Sequence, residues 1–426
     1  MHNKTVLKSG LRVITEDIPH SQSVSVGVWV NTGSRYEKGH QGGICHFIEH
    51  LLFKGTESRT ALQISKEIDS VGGVLNAFTG REFTGIYSKV LQKDLPLALD
   101  ILSDIFRHSL FHSKEVEKER KVILQEINLV EDTPDDYVHD LFNQAFWGSH
   151  PLGRSILGTA STVSSITRDE LSSYFLQEYT PARTLLTVAG RLEHQKVVDL
   201  VQAAFDGFSA QANTEVAEPP SPSGKVILKS KPLEQVHFCM GTTSLPHSHP
   251  SRFSCYVLNT ILGGSMSSRL FQEIREERGL AYSVYSYLNA YLDAGSLAIY
   301  VGTSREALRK VVCIILRECR RLVELPVDGE ELQGTKEQLK GNLLLSMEHT
   351  ENRMSRLGKN EIYYGRTLPV EETLANIDRV NVDDIQDLAR QIFQPQFFAL
   401  AMLGAIKDGE SITPDIFQEE LGLGPS

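Results

Sequence analysis

The sequence has no run of about 18 uninterrupted apolar residues, so nothing in it reads as a membrane span. It does not open on a basic stretch followed by an apolar one either. MHNKTVLKSGLRVITEDIPH alternates like a strand from the outset, which leaves no signal peptide to read and makes a cytoplasmic chain the expectation. Cysteine is scarce: the five present (Cys45, Cys239, Cys255, Cys313, Cys319) are odd in number, scattered and mostly set among apolar neighbours. Reduced thiols are expected, not a disulfide framework. An excess of positive charge is also missing. The formal net charge of -11 argues against a general nucleic-acid binder and suits the attraction of basic peptides. What is present, 41% hydrophobic and 23% charged residues over 426 positions, is the make-up of a globular protein. It is too long for one core, and roughly two to three domains are expected.

The clearest break is FSAQANTEVAEPPSPSGK, residues 208–225, where Pro, Ser, Ala and Gly replace any hydrophobic period. It divides the chain into halves 1–207 and 226–426 that repeat one order of elements. Alternating strands come first, then helices, a strand pair, a long helix (SKEVEKERKVILQEINLVED in one half, Gly329 to Met347 in the other) and a closing helix and strand. Gly153 and Arg154 answer Gly365 and Arg366 at an offset of 212 residues, and Pro181 and Gly190 answer Pro395 and Gly404 at 214. Two copies of one α+β unit are expected.

In the first copy, GGICHFIEHLLFKGT sets His46, Glu49 and His50 within an arc of roughly 100° on one helix face. Imidazoles at i and i+4 can share one ion. A catalytic zinc site usually has three protein ligands and leaves a fourth position to water, and a glutamate beside it can move that water's proton to a leaving amine. The order His-x-x-Glu-His is that of the inverzincins. A surface helix could carry the same residues as solvated polar groups. Phe47, Ile48, Leu51, Leu52 and Phe53 argue that this helix is buried and that its polar face needs partners.

With GSRYE (Gly33 to Glu37), GGVLNAFTGREFTGIYSKV and PLGRSILG in this order around the motif, nearly the whole chain resembles the pitrilysin/insulinase family of zinc metallopeptidases. The paired halves are most similar to its mitochondrial and bacterial processing-peptidase branch. The resemblance implies two similar domains, each a mainly antiparallel sheet flanked by helices, facing across a chamber. It also implies one zinc ion per chain, with His46 and His50 as ligands and Glu49 as general base. The third ligand would be Glu126, which stands 76 residues after His50, and Glu119, seven residues before it, would orient the ligands. Asn76 and Ala77 would lie on an edge strand that holds the substrate backbone. Asp136 and Asp140 match acidic positions that face a substrate arginine, and Gly263 and Gly264 match a glycine-rich loop that touches substrate.

No second metal helix is read in the other half. Where one is expected the sequence runs GGSMSSRLFQEIREERGLAYSVYSY, in which Arg275 and Tyr282 match the family's arginine and tyrosine that position substrate and donate to the oxyanion. Among the other histidines, His247 and His249 sit in a Pro/Ser loop, and His20, His40, His112 and His194 have no partner at ligand spacing; none is given a metal role. The expectation is a zinc endopeptidase acting on peptides or unfolded segments, basic ones included, as a homodimer or as a heterodimer with a related subunit. The alternatives are a non-catalytic or partner-dependent subunit of a heteromeric processing peptidase and a purely structural zinc protein. The open donor set and the lack of cysteine ligands count against the last.

Overall fold

Strands whose two faces are both apolar need cover on both, and this governs how the chain is assembled. The structure, a computed structural model, describes residues 2–208, 218–406 and 412–422, so 209–217 of the expected linker lie outside the described residues. It forms two compact units. The first comprises Met1–Asn128, Ser155–Ala217 and Leu345–Thr367; the second comprises Leu129–Arg154, Glu218–Leu344 and Leu368–Ser426. The single cut expected at the linker is therefore not how the units are made, because each borrows a segment from the other half of the chain.

In the first unit six strands, β1 (His2–Val6), β2 (Arg12–Asp17), β3 (Ser23–Val30), β4 (Val74–Thr79), β5 (Thr84–Leu91) and β6 (Thr184–Gly190), form a sheet in the order β1-β2-β6-β3-β5-β4. In the second, β7 (Val226–Ser230), β8 (Val236–Ser244), β9 (Ala281–Ala290), β10 (Gly295–Thr303) and β11 (Ala399–Gly404) run β7-β11-β8-β10-β9. With β1 set aside, the two orders are the same. Each sheet is antiparallel except for one pair in the same place, β2 with β6 and β7 with β11. The duplication is thus visible in topology. Pro181 and Pro395 each open a short turn into the central strand that follows, and Gly190 and Gly404 close those strands. A Cβ at Gly190 would lie 2.5 Å from the Ser23 carbonyl oxygen, so only glycine allows the neighbouring strand to pair there.

The period-2 alternation sends Val24, Val26, Val28 and Val30 of β3 into a large core with the first half's own helices, and Trp29 to the opposite face. That second face is covered by the helix Thr350–Tyr364, from the other half of the chain, whose Met354 and Leu357 pack with Trp29, Ile14 and Leu185. Polar pairs fix its orientation: Arg353 with Glu16 at 2.5 Å, Thr350 with Ser25 at 2.9 Å and Lys4 with Glu361 at 2.6 Å. The second unit is built the same way. Its own helices cover Leu297, Ile299 and Val301 of β10, while the helix Pro134–Trp147 from the first half covers Ala298, Tyr300, Ala401 and Leu403 with Val138, Phe142 and Phe146.

The exchanged helix makes a stability prediction. Met354 is 1% exposed, so Met354→Ala should lower the unfolding free energy of the first unit by about 2–5 kcal/mol, whereas Met354→Leu should cost less than about 1.5 kcal/mol. Urea unfolding followed by circular dichroism checks it; equal midpoints for parent and alanine variant would mean that this helix does not cover the sheet.

The five cysteines are free, as expected. Among the described residues no helix is long and apolar enough to cross a membrane.

Candidate metal centre

The helix Ile44–Leu52 begins at Gly43, whose φ of 92° is left-handed and whose Cβ, if it had one, would lie 2.5 Å from the Leu157 carbonyl oxygen. The buried carboxylate of Glu37 accepts the backbone N–H groups of Gly43 and Cys45, each at 2.9 Å. Two of the donors that a helix start leaves unpaired are satisfied there, and a negative charge stands at the positive end of the helix. Glycine, Glu37 and the Leu157–Gly158 turn hold the first turn in place. Phe47, Ile48, Leu51 and Leu52 then enter the core, which turns His46, Glu49 and His50 to the other side.

Helix Ser113–Asp132 supplies Glu126 and Glu119. Glu126 Oε2 lies 3.7 Å from His46 Nε2 and 3.5 Å from His50 Nε2, and the donor atoms of these three residues all fall within 4.8 Å of one another. Glu119, buried, places Oε2 3.2 Å from His50 Nδ1 and Oε1 2.9 Å from Lys54 Nζ. His50 Nδ1 faces Glu119 and its Nε2 faces Glu126, so a ring proton held at Nδ1 by Glu119 would leave the Nε2 lone pair for an ion. Glu49 is not part of this set. Its Oε2 accepts a 2.6 Å hydrogen bond from Thr79 Oγ1 at the end of β4.

Burial and the neighbouring His50 bring the pKa of His46 down to about 4, so this imidazole is neutral and free to coordinate. Burial acts the same way on His50, but hydrogen bonds with Glu126 and Glu119 outweigh it and raise the pKa. Glu126 is lowered by its hydrogen bond with His50, and Glu49 is raised by burial. His46 Nδ1 is buried without a hydrogen-bond partner. The nitrogen that faces Glu126 is the other one, Nε2, and a cation held with Glu126 would take Nε2 and leave Nδ1 as it is. The Nε2 atoms of His46 and His50 and one carboxylate oxygen of Glu126 form the open three-donor set of a catalytic zinc site, so the residues present fit the ion. Among the described residues no other group of three His, Cys, Asp or Glu could hold one. His194, for example, has both ring nitrogens paired with Thr5 and Thr15.

On β4, Asn76 Oδ1 accepts the N–H of its neighbour Ala77 at 2.9 Å, and among the described residues the strand pairs only with β5, so its outer edge has no strand partner there. The other sequence-predicted residues belong to the second unit. Arg275 lies in a π-helical segment, Phe271–Glu276, a rare geometry often found at functional sites, and its guanidinium stands 4.7 Å from the ring of Tyr282. That tyrosine is 78% exposed. Asp136 and Asp140 flank His139, which pairs with Tyr287 at 2.6 Å and Tyr285 at 3.2 Å. Gly263 and Gly264 have a packing reason, since a Cβ would meet Ser286 N at 2.7 Å or Thr260 Cα at 2.8 Å.

Residues 12–160 match the family model "Insulinase (Peptidase family M16)" and residues 165–339 match "Peptidase M16 inactive domain". A relative in Bacillus subtilis, named uncharacterized zinc protease YmxG, is 41% identical over 95% of this chain and 98% of its own length. The chain belongs to the insulinase family, peptidase family M16. An uncharacterized zinc protease of Streptomyces coelicolor is 40% identical over 96% of this chain and 90% of its own. Solved structures extend the likeness in fold: a protease from Helicobacter pylori superposes with a TM-score of 0.87 at 20% identity, covering 95% of this chain and 99% of its own. A Pseudomonas fluorescens protein described as a peptidase M16 inactive domain gives 0.88 at 17% identity with the same coverage.

The second copy agrees with the description of its family model as inactive, although the counterpart of the metal helix is not where the sequence suggested. In chain order, the helix that follows β8 as Ile44–Leu52 follows β3 is Arg252–Leu262, and it contains no histidine or carboxylate. The Gly263–Tyr287 stretch comes after it. Sequence reasoning also gave no role to Glu37, Lys54 or Thr79, although each lies inside a quoted motif. Lys54 is four residues past His50, and Thr79 is two past Ala77 on the same strand face, so helical and strand periods were signals that could have found them.

Proposed function

We propose that the chain is a zinc-dependent endopeptidase that cleaves peptides or unfolded, extended polypeptide segments, with Glu49 as general base. One observation carries this reading: Glu126 Oε2 lies within reach of Nε2 of both His46 and His50, while a separate carboxylate, Glu49, stands on the same helix outside the donor set. The names of the relatives as zinc proteases support it. When bound, zinc supplies Lewis acidity and brings the pKa of a water to about 7. Glu49 takes a proton from that water as the new C–O bond forms and gives it to the amine nitrogen as the C–N bond breaks. Burial raises its pKa, which suits a group that holds a proton in transit.

The open edge of β4 is the place for an extended substrate backbone, with Asn76 exchanging its contact to Ala77 for one to the peptide. Tyr282 would donate to the developing oxyanion and Arg275 would position substrate, roles supported by an exposed phenol held against a guanidinium. Asp136 and Asp140 would receive a basic side chain, and the net charge of -11 favours such peptides. One zinc per chain, a dimer with itself or a related subunit, and a cytoplasmic location complete the proposal.

The test assays the purified chain alone on an unstructured basic peptide. A chelator should abolish cleavage, and one equivalent of zinc should restore it. Cleavage indifferent to the chelator would overturn the reading, and cleavage only after adding a related subunit would select the partner-dependent alternative.

A further inference from the structure

We propose that Thr79 is a positioning residue for the base, so that strand β4, along whose open edge the substrate is placed, also aims Glu49. The inference rests on the reading of Glu49 as general base. Among the described residues, Thr79 is the one whose side chain hydrogen-bonds Glu49: its Oγ1 donates to Oε2 at 2.6 Å. Holding Oε2 in this way leaves Oε1 as the oxygen free to take the water's proton.

The strand fixes where that hydroxyl stands. Leu75, Ala77 and Thr79 share one face of β4, and Leu75 and Ala77 belong to the core that also takes in the metal helix. A slip of one residue would put Phe78 or Gly80 in place of Thr79 and leave the carboxylate without its donor. The hairpin prevents the slip, since Thr79 pairs with Thr84 and the Gly80 N–H donates to the Phe83 carbonyl at 2.9 Å. A peptide laid on the β4 edge and the base that acts on it are therefore referred to one rigid element. Pre-organisation of this kind is gained before substrate arrives.

Thr79→Val keeps the branched shape and removes the donor, whereas Thr79→Ser keeps the donor. Each is compared with the parent and with Glu49→Gln for kcat and KM on a quenched-fluorescent basic peptide, and for zinc content. Loss of one hydrogen bond to a charged group should lower kcat of the valine variant roughly 10- to 100-fold, with KM and zinc unchanged. Serine should restore kcat to within about threefold of the parent. If valine matches the parent while Glu49→Gln is inactive, the inference is overturned and the general base stands. If serine loses as much as valine, the role is packing and the inference is also overturned. If Glu49→Gln cleaves at the parent's rate, the base assignment falls and this inference falls with it.

Discussion

Glu49→Gln is expected to lower peptide cleavage by roughly 10²- to 10⁴-fold while the zinc content of the purified protein stays at the parent's. The expectation follows from where the carboxylate stands. Glu49 lies one residue before a ligand but makes no part of the donor set, its Oε2 being taken by Thr79. Glutamine keeps the shape and the acceptor for that hydroxyl, so the helix and the ligands should remain in place. What it cannot do is accept a proton and pass it on. Fluorogenic peptide kinetics with metal analysis on the same sample separate the two properties. A glutamine variant that cleaves as fast as the parent would remove Glu49 from the mechanism, and one that loses zinc would make it a support of the ligands.

The metal helix was legible because its chemistry is local. Two imidazoles four residues apart must share a face of any helix, and the apolar residues between them show that the opposite face is buried. Glu126 was not legible from local pattern. It stands 76 residues away on a helix with many charges, and only the family register singled it out. The two sheets were legible as a repeat, since strand alternation and the Pro-to-Gly spacing before and after β6 and β11 recur. The exchanged helices were hidden for a physical reason. A strand such as β6 or β11, buried along its whole length, shows that both faces are covered, but nothing in that pattern says which helix does the covering. Thr350–Tyr364 is strongly polar on its outer face and carries only a few core residues, Met354 and Leu357 among them, so it reads as a helix of its own half. Supporting residues were hidden for a different reason. Glu37 accepts two backbone N–H groups, Lys54 makes one ion pair and Thr79 hydrogen-bonds one carboxylate; Lys54 and Thr79 stand in register with His50 and Ala77, but register alone does not say what a side chain touches.

Glu126→Ala and Glu119→Gln should differ in kind, although both remove a carboxylate from the same helix. Glu126 Oε2 is the oxygen within reach of both Nε2 atoms, so its loss leaves two imidazoles and no third donor. Zinc should then be absent at stoichiometric loading, and cleavage should be lost with it. Glu119 reaches the centre only through His50 Nδ1 and shares its charge with Lys54. Glutamine at that position keeps an acceptor for the imidazole N–H and gives up the charge, which should weaken zinc binding by roughly 10- to 100-fold. Titrating zinc against activity shows the difference. The Glu119 variant should recover most of the parent's rate as free zinc rises, because the donor set is intact once filled, whereas the Glu126 variant should stay inactive across the same range. Recovery of Glu126→Ala would mean that the third donor is another group. Failure of Glu119→Gln to recover would mean that the buried carboxylate does more than orient His50, since a residue acting only through that imidazole affects how often the site is filled and not what it does when full.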